Sequence, residues 1–246
     1  MSRPLLDDQV LEWSETVANC RMNRERELCG TNGYTAELPW NPLDLLEQRL
    51  GEEPAVSWLD LCCGTGRALL QAGASVASSG LAGRVTIHGI DLVDQFAVPA
   101  TPLPHVRLEC ASLHRWEPEQ AYDLITCVHG LHYIGDKLDL IARAVSWLKP
   151  EGRFVAHLDL RNLAGRHGDW TPAANQQKLR EQGLQYDVGT RLVSARGRCR
   201  VRFPFRYAGA DDQAGPNFTG QPAVTSWYTT SPDAPSDEPP GTRPDR

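Results

Sequence analysis

Five short apolar runs, spread from Ala55 to Leu160, constrain this chain more than any other feature. They read AVSWLDLCC, RVTIHGIDL, HVRLECA, AYDLITCV and GRFVAHLDL. None shows the strict alternation of a strand with one wet face, so each suits a strand buried on both sides, as in a parallel sheet covered by helices. A chain of 246 residues with 41% hydrophobic content can bury one substantial core, which points to one doubly wound α/β domain. Helix character between the runs is strongest in DKLDLIARAVSWLKP, where Leu138, Ile141, Ala142, Val145 and Leu148 share a face and Lys149-Pro150 supplies the stop. It is weakest in VDQFAVPATPLP, whose three prolines leave one crossover short or irregular.

Two helices are expected ahead of the first strand. Leu6, Val10, Trp13 and Val17 make one apolar stripe on a helix from about Asp7 to Arg26, and Asn41-Pro42 announces a second with Leu43, Leu46 and Leu50 on one face. After the fifth run, Thr171-Pro172 opens a helix through Arg180. LQYDVGTRLVSARGRCRVRFPFRY then reads as an antiparallel hairpin turning near Arg196-Gly197, with an apolar face (Cys199, Val201, Phe203, Phe205) and an arginine face. That charged row reads as a solvated face that discourages edge pairing. The division expected is residues 1–54 for the N-terminal helices and lid, 55–208 for the core, 209–230 for a substrate-side loop, and 231–246 for a disordered tail.

Charge and cysteine usage narrow the function. A net charge of −6 disfavours a polyanion partner such as nucleic acid. Seven cysteines without paired CxxC spacing, no leader-like start and no apolar run of about 20 residues suit a cytoplasmic protein off the membrane. His, Cys and carboxylates do not recur at ligand spacing, so no metal is expected.

The run Val56 to Leu61 ends in Asp60 and breaks into Gly64-Thr65-Gly66 before a helix. Such a turn puts backbone N–H groups at the carboxyl edge of the sheet, where open α/β folds bind ligands. A P-loop would need GxxxxGK[ST], and a dinucleotide loop a third glycine where Leu69 stands. Both are disfavoured, the nicotinamide oxidoreductase reading with them.

On these residues, LDLCCGTGRA resembles the first motif of the class I methyltransferases that use S-adenosylmethionine, and the resemblance runs from about Ala55 to Leu160. It implies a mostly parallel seven-stranded sheet with helices on both faces and an antiparallel C-terminal hairpin. It implies a cofactor site of Asp60, Cys62, Gly64, Thr65 and Gly66 at the turn, with Asp91 and Leu92 after strand two. Asp91 would take the ribose hydroxyls and Asp60 the cofactor's ammonium. Ser112 stands where the family often has an acid facing adenine, with the backbone of Leu113 as the other candidate. Cys127 and His129, at the end of strand four, would face the methionine end, and Tyr34 would cover it from the lid formed by Asn32, Gly33, Tyr34 and Glu37. His132, His129 and Tyr133 are the catalytic candidates, with His132 preferred as a base wherever the acceptor has a proton to lose. The acceptor implied is a small molecule, natural products and peptide-derived compounds included. A noncatalytic binding protein of the same fold is the alternative; a plugged acceptor chamber would favour it. Oligomeric state is not legible.

Overall fold

The computed structural model describes residues 4–18 and 25–230. All five apolar runs are strands: β1 (Val56–Leu61), β2 (Val85–Asp91), β3 (Val106–Cys110), β4 (Tyr122–Cys127) and β5 (Leu148–His157). Two more, β7 (Gln185–Asp187) and β8 (Leu192–Arg196), complete a seven-stranded sheet in the order β3-β2-β1-β4-β5-β8-β7. The first five are parallel, while β8 runs antiparallel to both β5 and β7. The order reverses between β1 and β4, so ligand-binding side chains gather above the carboxyl ends of these strands.

Helices cover both faces, and the strands divide their side chains between two cores. On one face α4 (Pro42–Leu50) and α5 (Arg67–Ser78) pack Leu45, Leu46, Leu69 and Ala72 against Val56, Trp58, Ile87 and Leu124. On the other, α6 (Lys137–Ser146) and α7 (Pro172–Glu181) pack Leu138, Ile141, Val145 and Leu179 against Leu59, Leu61, Ile125 and Phe154. All six residues of β1 are buried, which explains the missing alternation in its sequence. Asn41 caps α4 by accepting from Leu43 N, and Thr171 caps α7 by accepting from Ala174 N. No helix forms between β2 and β3, as the three prolines required.

Four expectations change. The helix expected over Asp7–Arg26 is two single-turn pieces, α1 (Asp8–Leu11) and α2 (Glu15–Ala18), and residues 19–24 of it lie outside the described chain. Only half of its apolar stripe packs inward: Leu6 and Val17 do, joined by Leu11, while Val10 is 53% and Trp13 89% exposed. A break after Leu11 resets the helical phase, so the 3.6-residue period does not run through it. Lys149-Pro150 does not stop α6, which ends at Ser146 with Trp147 as its cap; the dipeptide lies inside β5. The hairpin turns at residues 188–191, not at Arg196-Gly197. Residues 198–204 make no ladder, although Val201 and Phe203 face the core and Arg200 and Arg202 face solvent, as their alternation requires.

Residues 209–230 are also more than a loop. They hold the end of β9 (Phe205–Asp211) and all of β10 (Thr225–Thr230), which with β6 (Leu163–Gly165) forms a second sheet in the order β6-β10-β9. The tail expected over residues 231–246 lies outside the described residues. Lys137 fastens this sheet to the core: fully buried, its ammonium donates to Ile134 O, Val224 O and Ser226 Oγ at 2.8, 2.8 and 3.0 Å. Among the described residues no helix is long and apolar enough to cross a membrane.

Packing between β2 and its neighbours leaves no room for side chain at Gly89. A methyl there would stand 2.5 Å from Leu69 Cδ1, 2.8 Å from Cys63 Sγ and 2.9 Å from Leu108 Cδ2. Gly89→Ala is expected to cost about 1–3 kcal/mol by overpacking. Thermal denaturation should show a fall in Tm of several degrees.

Candidate active site

The turn after β1 is built from left-handed backbone. Cys62, Gly64 and Gly66 have φ of 59°, 60° and 71°, and the helix α5 starts directly behind Gly66. Cys62 carries a side chain in a region glycine favours, and so does His129, with φ of 61°, just past β4. The two meet through Gly130, where a Cβ would lie 2.4 Å from Cys62 Cβ and 2.7 Å from Cys127 Sγ. Two strained residues locked together at one sheet edge mark a place where geometry outranks local stability.

Asp91 organises the turn. Its Oδ2 accepts from Gly64 N at 2.8 Å and its Oδ1 from Val93 N at 3.0 Å. Beside it opens a cavity of about 90 Å³, lined by Cys62, Asp91, Leu92, Ala111, Leu113 and Tyr133 on the core side. Leu11, Glu12 and Val17 close it from the N-terminal arm. The structure thus gathers five of the expected residues, Cys62, Asp91, Leu92, Leu113 and Tyr133, around one space. Ser112 is beside it, with its hydroxyl donated to Glu12. This contact joins the end of strand three to the arm across 100 positions and is invisible in local sequence.

Asp60 and Tyr34 are placed differently from expectation. Asp60 is fully buried and accepts from Tyr34 Oη at 2.6 Å and from Thr126 Oγ1 at 2.5 Å, while Thr126 accepts from Trp58 Nε1 at 2.8 Å. Tyr34, 2% exposed, is therefore a fixed member of the core and not a mobile cover. Burial raises the Asp60 carboxyl to about 7, against the pull of its two hydroxyl donors. Thr65 turns its carbonyl to Ala97 N, and Cys127 lies sealed beneath Gly130.

Above the carboxyl ends of β4 and β5 sits a cluster of three imidazoles. His129 and His157 stack with ring centroids 4.0 Å apart and 9° between planes; His132 lies 5.6 Å from His129. Phe218, from the segment between β9 and β10, covers His129, His132 and His157 at 5.9, 5.3 and 6.1 Å. Glu37, on the one-turn helix α3 (Tyr34–Glu37), reaches in from the side, its Oε2 3.1 Å from His129 Nε2 and 3.4 Å from His157 Nε2. Arg26 holds the other carboxylate oxygen at 2.7 Å. Burial pushes all three imidazoles down, His157 to about 3. Glu37 is drawn down to about 2, by the polar contact with His129 first and Arg26 in support. At neutral pH the cluster is three neutral rings around one carboxylate.

His157 and Phe218 were not singled out from the sequence. His157 ends β5 within GRFVAHLDL, and the carboxyl-end rule applied to that strand would have found it. Phe218 carries no local signal. Glu37 was assigned to a lid, whereas the fold turns it into the histidine cluster; the expected absence of a metal-type grouping does not survive this convergence.

Residues 24–195 match the family model described as a methyltransferase domain. The chain belongs to this family. Trans-aconitate 2-methyltransferase of Pseudomonas aeruginosa is 32% identical over 130 residues, covering 50% of this chain and 47% of the relative. A second form of that enzyme from another strain is 30% identical over the same length. The chain spans about half the length of these curated relatives. Among solved structures, CalS10, an amino pentose methyltransferase from Micromonospora echinaspora, is 24% identical with a TM-score of 0.35, covering 46% of this chain and 48% of that one. The cyclase SpnF is 19% identical with a TM-score of 0.42, covering 63% and 61%.

His157 makes an acid-sensitive contribution to the stability of this chain. A buried ring with its pKa at about 3 binds no proton until well below 6.5, whereas the unfolded chain's histidine does so from about 6.5 downward. Between those values the unfolded state holds more protons, so stability falls as pH falls, by up to about 1.4 kcal/mol per pH unit for one group. Asp60, held up at about 7, contributes with the opposite sign, so the His157 part is read as a difference: in urea denaturation from pH 7 to 4, His157→Asn should lose less stability than the parent chain.

Proposed function

We propose that this chain transfers a methyl group from S-adenosylmethionine to a small-molecule acceptor held under Phe218. The observation that carries the reading is the pairing of two sites at one switch point: the Asp91 cleft and the covered histidine cluster, joined through Cys62, Gly130 and His129. The donor set fits the cofactor. A carboxylate on the cleft floor suits a ribose, and Leu92, Ala111 and Leu113 supply apolar flanks for a base. Tyr133 lies on the side facing the imidazoles. When bound, the cofactor supplies an electrophilic methyl on a sulfonium; the protein's work is to position and to exclude water.

The cavity of about 90 Å³ is small beside the roughly 300 Å³ at the low end of small-molecule sites. The N-terminal arm bounds it on one side, through Leu11, Glu12 and Val17. On this reading the arm withdraws on loading; it is held by apolar packing of Leu11 and Val17 against Ala210 and Val224 and by polar ties that include Asp8 with His114 and Tyr207, Thr16 with Asp212, and Glu12 with Ser112.

His132 remains the preferred proton acceptor. It is fully buried, beside Phe218, and neither ring nitrogen has a partner. Its lowered pKa makes it a weak base, suited to acceptors that lose a proton more readily than an alkyl alcohol does, whereas an acceptor that is already ionised, such as a carboxylate, needs no base. The relatives named for trans-aconitate are consistent with a carboxylate acceptor. The polar imidazoles gathered under Phe218 favour an enzyme over a noncatalytic binder of the same fold, for which an apolar filling would serve as well.

Calorimetric titration with S-adenosylhomocysteine and with a nicotinamide dinucleotide tests the cofactor. The former should bind, Asp91→Ala should weaken it at least tenfold (~1.4 kcal/mol), and tighter binding of the dinucleotide would overturn the assignment. In His132→Ala, turnover should fall while S-adenosylhomocysteine affinity stays within a few-fold. Unchanged turnover at saturating acceptor removes His132 from the mechanism.

A further inference from the structure

We propose that Glu37, His129 and His157 bind a divalent transition-metal ion of the zinc or ferrous class, whose open positions take an anionic oxygen of the acceptor. One carboxylate oxygen and a ring nitrogen from each histidine lie within 4.8 Å of one another. Glu37 Oε2 is 3.1 Å from His129 Nε2 and 3.4 Å from His157 Nε2. Ligand atoms sharing one ion at bonds of about 2.0–2.2 Å are spaced by roughly 3.0–3.5 Å, so these two separations already match edges of a coordination polyhedron. The stacked rings must fan apart for both nitrogen lone pairs to meet at one centre, and the side chain lying against them is Phe218.

The second observation is the state of the nitrogens. His129 is 2% exposed, and neither of its ring nitrogens makes a hydrogen bond; its Nε2 stands near Glu37 without the alignment an N–H donor needs. His157 Nδ1 is likewise buried without a partner. Buried polar atoms left unsatisfied are rare and call for an occupant.

Support around the cluster is of the kind ligating residues need. Arg26 fixes the second oxygen of Glu37, and Tyr34, on the same turn, is tied to Asp60. His129 and His157 extend from adjacent strands whose ends pair as Cys127 with Ala156. Two imidazoles and one carboxylate select zinc, cobalt or ferrous ions over magnesium and calcium, which prefer oxygen donors. Three protein ligands leave positions open, and an ion there supplies positive charge where a carboxylate acceptor would otherwise face Glu37. That last role rests on the methyl-transfer reading; binding of the ion does not.

The test uses the full chain, stripped of metal and titrated with Co²⁺ and Zn²⁺ by calorimetry and visible absorption. Expected are one ion per chain and cobalt d–d bands without the near-ultraviolet band of thiolate ligation, which separates this site from the cysteines. Glu37→Gln and His157→Asn should each weaken binding about 100-fold or more, and the exposed-histidine control His167→Ala should not. Thermal melts and S-adenosylhomocysteine titration of each variant verify folding independently of the metal, and should a variant unfold, His129→Gln replaces it. No bound ion, a thiolate band, or wild-type affinity in the folded variants overturns the proposal. Failure of S-adenosylhomocysteine to bind the parent chain overturns the functional reading alone.

Discussion

The arrangement at the carboxyl edge depends on one buried carboxyl group, Asp60. It stands at the end of the central strand and is reached by hydroxyls from two other parts of the chain, Thr126 on β4 and Tyr34 on α3. Trp58 extends the chain of bonds by donating to Thr126. Burying a carboxyl is costly unless donors converge on it, and these donors draw β4 and α3 into fixed positions against β1. Once α3 is fixed by Tyr34, Glu37 three residues later has its direction set, and Arg26 completes its orientation. The histidine cluster is thus assembled from below, by a network that touches none of the imidazoles.

Two consequences for chemistry follow from this architecture. The cleft around Asp91 and the chamber around His129 share a wall made by strained backbone at Cys62 and His129 packed through Gly130. A shift in one is felt in the other, because the wall has no slack for even a methyl group. The imidazoles are also buried, and the charges beside them are the paired Glu37 and Arg26, so charge brought close to the rings is weakly screened.

Legibility in the sequence divided along a physical line. Interactions local in sequence were readable: the five buried strands from their unbroken apolar runs, the Asn41 and Thr171 caps, the glycine turn, the prolines that forbid a helix before β3. Cys62, Asp91, Leu92 and Leu113, which line the cleft, lie at or after strand ends and were named through the methyltransferase resemblance. What failed was long-range. Tyr34 meets Asp60 across 26 positions, Ser112 meets Glu12 across 100, and Tyr207 meets Asp8 across 199. Periodicity has no access to such pairs, and in the N-terminal segment a break between two single turns defeats periodicity itself.

The bridge between Leu6 and Ala210 joins opposite ends of the described chain directly over the reactive edge. What roofs the site is therefore contributed by the two segments that the central sheet holds least, while the floor belongs to strands locked on both faces. Roof and floor of that edge therefore rest on different supports, and a substitution in the one leaves the packing of the other in place.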